Sequence, residues 1–369
     1  MQYFHDGCSS REHVAQTVMV PSDYRERVAP PNPPFVPMVI GHRGAPGYRP
    51  EHTRSSYELA FALGADAVEP DIVATQDGVL VVRHENEISR TTDVARHPEF
   101  VARRTTKQID GSSLTGWFTE DFTWAELATL RAVERLPKLR QHSSTFDGTE
   151  PMLRLSELLE LVDAAAERTR RPLRLVAEIK HPTHFASIGL PLDELVASVL
   201  TPWGDRSRLT VECFEQTVLG RVRERGVDAE LVYLLEATGA AADLVARDGS
   251  AALSYAEQLT DAGLARLARG VDGISADKSL LLDTSRRGTV GVTDLVARAH
   301  EHGLTVFTWT LRPENRFLAP AHRGGTESAA AGDWGDWRRE FDLILSTGVD
   351  GVFADHADLA VVARAGLAG

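Results

Sequence analysis

Two histidines bracket a pair of carboxylates early in the chain: His42-Arg43-Gly44, then Glu69-Pro70-Asp71, then His84-Glu85. A third carboxylate and a second cation follow much later, in Glu178-Ile179-Lys180. Each group closes a short apolar run: Met38-Val39-Ile40, Ala67-Val68, Val79-Leu80-Val81-Val82 and Leu175-Val176-Ala177. Parallel barrels build their active sites in this way, from polar residues at strand ends. Carboxylates, imidazoles and cations together point to metal-assisted chemistry on an anion, and a phosphate ester fits best.

The spacing gives each residue a task. Glu69 and Asp71 lie two apart on an expected strand, so both side chains face the same side. Two like charges aimed at a barrel axis conflict unless a cation joins them. Oxygen ligands suit calcium or magnesium, and Glu178 supplies a third. A solvent-facing loop is the bland alternative for an isolated Glu-x-Asp, and Pro70 favours it, because proline donates nothing to a central ladder. Arg43 can grip phosphate oxygens in a fork, and Lys180 can act as a point charge; each alone would read as a surface ion pair. His42 and His84 are the acid/base candidates, since imidazole titrates near neutrality. With 13 histidines in the chain, their joint placement beside the carboxylates carries that reading. His52, His181 and His184 are candidates for support around the site or for the substrate rim.

The elements that must position these groups alternate. Strands are expected at 38–41, 67–72, 174–179, 209–213, 230–235, 272–275, 304–309 and 350–353. Amphipathic helical segments are expected at 54–63, 155–168, 216–225, 258–269, 292–302 and 335–346. Alternating β and α implies a parallel sheet, and eight strands imply a closed (β/α)8 TIM barrel. The run 79–83 leaves no room for a crossover helix after 67–72, so an antiparallel hairpin should carry His84 back over the barrel mouth. Residues 1–37 read as an arm ending in a stiff proline-rich segment, Ala29-Pro30-Pro31-Asn32-Pro33-Pro34. The barrel is expected over 38–369, with a small turn-rich subdomain inserted at about 86–150. The loop 318–334 follows a late strand on the same face as the site and reads as a lid or as disorder.

Composition excludes some classes. A net charge of -13 over 369 residues argues against nucleic-acid binding. Two cysteines, Cys8 and Cys213, cannot build a disulfide framework or a cysteine zinc site. No apolar stretch is long enough for stable membrane insertion. The run from Val14 to Val20, interrupted by Gln16 and Thr17, is a poor leader core, so the chain reads as cytoplasmic, with a secreted or periplasmic origin as the alternative.

The assembled pattern resembles the glycerophosphodiester phosphodiesterase family. Gly41-His42-Arg43-Gly44, Pro50-Glu51-His52-Thr53, Glu69-Pro70-Asp71, Thr75-Gln76-Asp77-Gly78 and Val81-Val82-Arg83-His84-Glu85 carry the resemblance. Glu178-Ile179-Lys180, Cys213-Phe214, Thr308-Trp309-Thr310 and Asp350-Gly351-Val352-Phe353-Ala354-Asp355 continue it in order. The inserted segment, with Gly116-Trp117-Phe118, resembles the longer bacterial subgroup, which often uses calcium. The resemblance implies a TIM barrel and one divalent cation, Ca2+ or Mg2+, on Glu69, Asp71 and Glu178. It also implies a His42/His84 acid/base pair and phosphate contacts from Arg43 and Lys180. Glu51 matches a supporting acid near the metal, and Phe214 and Trp309 match apolar walls beside the glycerol. Glu85, where aspartate is usual, His52, where asparagine is common, and Pro70 depart from the pattern. The expected reaction is hydrolysis of a small-molecule glycerophosphodiester to glycerol 3-phosphate and an alcohol. Lysophospholipase D or sphingomyelinase-like cleavage and a non-catalytic phosphate-binding barrel are the alternatives. The oligomeric state is not legible in the sequence.

Overall fold

A computed structural model of the chain describes residues 36–285, 289–324 and 330–368. All but the last two residues of the expected arm lie outside the described residues, as do residues 325–329 of the expected lid. Eight parallel strands close a barrel: β1 Met38–His42, β2 Ala67–Glu69, β3 Arg174–Ile179, β4 Leu209–Cys213, β5 Glu230–Leu235, β6 Gly273–Asp277, β7 Thr305–Leu311 and β8 Gly351–Ala354. Neighbours in sequence are neighbours in space, and β1 pairs with β8 to complete the ring. The expected (β/α)8 TIM barrel is therefore the observed fold.

The strand expected at 67–72 is broken at Pro70. Its ladder with β1 ends at the pair His42 and Glu69. The next residue has no N–H to give, so the break falls where a missing donor costs nothing. The Pro70 carbonyl still accepts from Glu178 N at 2.9 Å. Beyond it, Asp71–Ala74 continues along β3 and turns back to pair antiparallel with Leu80–Val82. The hairpin expected at 79–83 thus forms, with Asp71–Ala74 as its first strand.

Side chains alternate across a strand with a period of two. Inside the barrel this period stacks a dry layer beneath a polar one. Ile40, Ala67, Val176, Val232, Phe307 and Phe353 form an apolar cluster separate from the larger core between barrel and helices. Two residues further along the same strands stand His42, Glu69, Glu178, Leu234 and Trp309, and Asp355 just past β8. The apolar layer is the floor on which the polar residues rest.

Most expected helices form, among them Arg54–Ala62, Leu155–Thr169, Gln216–Glu224 and Trp337–Ser346. The single helix expected at 258–269 is instead two, Tyr255–Gln258 and Asp261–Leu267. Thr260 caps the second, accepting from Gly263 N at 3.2 Å. A Cβ on Gly263 would lie 2.3 Å from the Gln258 carbonyl oxygen, so a side chain there would clash with the tight corner. The segment 86–150 holds a hairpin, Thr105–Ile109 with Ser112–Gly116, and several short helical turns. Its two-residue connection, Asp110-Gly111, has φ of 47° and 81°, the left-handed pair that an Asp-Gly turn favours.

Candidate active site

A cleft of about 270 Å³ opens at the carboxyl ends of the strands, above the apolar floor. His42, Arg43, Glu69, His84, Glu178 and Lys180 all face it. Residues drawn from four separated stretches of sequence therefore meet in one cavity. Phe214 and Trp309 also line it, their rings edge-to-face at 5.7 Å.

One oxygen from each of Glu69, Asp71 and Glu178 lies within 4.8 Å of the others, and all three residues are buried. Glu69 Oε1 and Asp71 Oδ1 are buried and have no hydrogen-bond partner. Burial and the charges of Asp71 and Glu178 push the Glu69 carboxyl well above its ordinary range. Glu178 is pushed up to about 8, chiefly by burial. Asp71 goes the other way: burial opposes its charge, but His84, Lys180, Arg43 and the hydrogen bond from His52 hold it well below its ordinary value. Crowded carboxylates with orphaned oxygens are what a hard cation would reconcile, and an all-oxygen donor set fits calcium or magnesium.

The surrounding cations pin these acids from outside. Arg43 donates its backbone N–H to Glu69 Oε2 at 2.8 Å. Its guanidinium lies 3.1 Å from Asp71 Oδ2 through Nε and 3.1 Å from Glu51 Oε2 through Nη1. Lys180 Nζ is 2.8 Å from Glu178 Oε1 and 3.7 Å from Asp71 Oδ1. His52 is wholly buried, with Nε2 2.9 Å from Asp71 Oδ2 and Nδ1 2.7 Å from Tyr57 Oη. It supports Asp71 from behind and does not belong to the substrate rim.

Both imidazoles have a carboxylate at Nδ1. His42 Nδ1 is 2.6 Å from Asp355 Oδ1, and His84 Nδ1 is 2.7 Å from Glu85 Oε1. Burial, reinforced by Arg43, lowers His42 to about 3. Burial, with Arg43 and Lys180, lowers His84 to about 3. Both rings are held neutral, and the hydrogen bond from His42 Nδ1 to Asp355 leaves the free lone pair of that ring at Nε2.

A family model described as the glycerophosphoryl diester phosphodiesterase family matches residues 42–359. The chain belongs to that family. It is an enzyme, a phosphoric diester hydrolase by class. A glycerophosphodiester phosphodiesterase of Arabidopsis thaliana is 31% identical over 348 residues, covering 91% of this chain and 88% of its own. One from Treponema pallidum is 26% identical over 297 residues, covering 75% and 81%. A solved structure from Silicibacter pomeroyi superposes with a TM-score of 0.61 at 23% identity, covering 91% of this chain and 95% of its own. An Oleispira antarctica phosphodiesterase, solved with its product sn-glycerol-3-phosphate, gives 0.57 at 19% identity, covering 89% and 97%. These two show the common fold.

The family member carries site residues that sequence reasoning missed. Glu212 is buried beside Glu178 in register, lines the cleft and has an unpartnered Oε2. Its signal was present: a lone charge inside the apolar run Leu209-Thr210-Val211-Glu212-Cys213. Asp355 gathers Arg312 Nε at 2.6 Å and a close contact from Arg140 Nη2. Arg140 also pairs with Glu314 at 2.9 Å, and Arg135 Nε lies 3.0 Å from Glu51 Oε2. Nothing local in sequence marks Arg135 or Arg140, because their partners are remote. Glu314 and Trp334 form an isolated bridge at the base of the 318–334 loop.

Proposed function

We propose that this chain hydrolyses glycerophosphodiesters to glycerol 3-phosphate and an alcohol, with a divalent cation on Glu69, Asp71 and Glu178 and with His42 and His84 as the proton-transfer pair. Residues 38–369 are read as one catalytic barrel carrying an insertion at about 86–150. The observation that supports this most directly is the shared cleft: three buried carboxylates, two of them with an unpartnered oxygen, flanked by two carboxylate-backed imidazoles and two cations. When bound, a divalent cation, Ca2+ or Mg2+, supplies charge that polarises a phosphoryl oxygen and lowers the pKa of the attacking hydroxyl.

The chain's own residues do the rest. Arg43 and Lys180 bind the anionic phosphate, and Phe214 and Trp309 wall the glycerol. His42 Nε2 takes the proton of the glycerol hydroxyl as that oxygen bonds to phosphorus. His84 Nε2, which takes up a proton when the anionic phosphate binds beside it, gives that proton to the departing alcohol as its P–O bond breaks. Bound phosphate adds negative charge beside both rings and so raises their affinity for the proton they handle. Water then opens the cyclic phosphate with the two roles exchanged. The Oleispira antarctica enzyme, solved with sn-glycerol-3-phosphate, supports this product.

The test is turnover of glycerophosphocholine by His42→Ala and His84→Ala. Each should lose about 10²–10⁴-fold in kcat. Near-normal turnover by either sinks the scheme. Faster turnover of lysophosphatidylcholine than of glycerophosphocholine by the wild type would replace the substrate class.

A further inference from the structure

The insertion reaches the cleft through a chain of four side chains, of which the reaction as described uses only the last, His84. Its hairpin turn presents Asp110, whose Oδ2 lies 2.5 Å from His181 Nδ1. His181 Nε2 lies 3.2 Å from Glu85 Oε2. The other oxygen of Glu85 is 2.7 Å from His84 Nδ1. Acid, imidazole, acid and imidazole thus alternate from the tip of the insertion to the cleft.

Backbone conformation shows that the geometry is imposed. Asp110 and His181 both have positive φ, 47° and 52°. Outside glycine this region is uncommon, and aspartate is among the residues that tolerate it. His181 occupies it immediately before the helix Pro182–Ser187, where its ring bridges Glu85 and Asp110. A second contact, His184 Nε2 to Glu120 Oε1 at 3.0 Å, ties the same helix to the insertion. Although burial opposes a charge on His181, its hydrogen bonds to Asp110 and Glu85 raise its pKa to about 9. At neutral pH His181 therefore carries a positive charge between the carboxylates of Asp110 and Glu85.

We infer that Asp110 of the insertion is a positioning residue for the reaction: through His181 and Glu85 it fixes the orientation of His84 and the nitrogen that His84 turns to the substrate. This inference rests on the role given to His84 above. Lys180 Nζ, 3.4 Å from His84 Nε2, occupies the cleft side of the ring, so the Glu85 side is where orientation is set. The insertion is then a working part of the active site, and its hairpin turn is held against the barrel by the same contacts that hold His84.

The test is a double-mutant cycle. Asp110→Asn keeps a residue that accepts positive φ and removes the charge; His181→Asn does the same at the second link. Each should lower kcat on glycerophosphocholine about tenfold while KM stays within about twofold. In a His84→Ala background, measured on the same glycerophosphocholine with enough enzyme to read its residual turnover, Asp110→Asn should have no further effect, because its target is gone. Loss of the same factor in both backgrounds would overturn the inference and leave the role of His84 intact. Unchanged kcat in both Asn variants would overturn it too. Near-normal turnover by His84→Ala would instead sink the underlying scheme. Melting temperatures within a few degrees of wild type confirm that each variant is folded.

Discussion

Asp355 Oδ1 lies 2.6 Å from His42 Nδ1 across 313 residues of sequence, joining the last barrel strand to the first. The carboxylate is held charged: burial opposes it, but Arg312, Arg140 and His42 keep its pKa well below the ordinary range. It backs the ring in one orientation and stabilises it whenever it carries a proton. Asp355→Asn should therefore lower kcat on glycerophosphocholine by about 10²-fold or more, with KM changed little. Steady-state kinetics on the folded variant check this.

The crowded carboxylates predict a linked effect of metal on stability. A chelator should abolish turnover, and adding back calcium or magnesium should restore it and raise Tm. Glu69→Gln should remove most of that shift. Glu178, raised to about 8, holds its proton in the metal-free protein below that pH, and a cation must displace it. Apparent affinity should thus climb with pH over the range in which Glu178 and Glu69, both raised, give up their protons. Calorimetric titration at several pH values reads this directly.

His181 predicts a pH-dependent stability of opposite sense. Its pKa rises from an ordinary 6.5 to about 9 on folding. The folded state binds the proton more tightly, so the contribution is fully present below 6.5 and fades as pH rises through about 9. It amounts to roughly 3 kcal/mol at most. The stability gap between wild type and His181→Asn in urea unfolding should narrow over that interval.

The floor beneath the site should be costly to hollow. Phe353 is 2% exposed and packs with Phe307 and, edge-to-face, under His42. Phe353→Ala should destabilise the protein by about 3–5 kcal/mol. Urea unfolding measures the loss, and a drop in kcat larger than His42→Ala would show that more than ring support has gone.

Much of this was legible in order. The strands expected at 174–179, 209–213 and 230–235 form with those bounds, because compact β-rich runs between turn signals carry their own period. The residues at strand ends were legible for the same reason. The short helix Pro182–Ser187 was not, since six residues give too few turns for a helical period to show. Asp110, Arg135 and Arg140 were illegible for a different reason. Each is a common surface residue type whose meaning comes from a partner dozens of positions away. Pro70 was read as a weakness in a strand; it is where that strand changes partners.

The plugged barrel sets the traffic at the cleft. With Ile40, Phe307 and Phe353 blocking the far end, entry and exit share one doorway. On the proposed scheme the alcohol leaves as its bond is cut, before water opens the cyclic phosphate, so the phosphorylated glycerol is the last product in the cleft. Accumulating glycerol 3-phosphate should then contend with incoming diester for the same seat and slow the enzyme as its own product builds up.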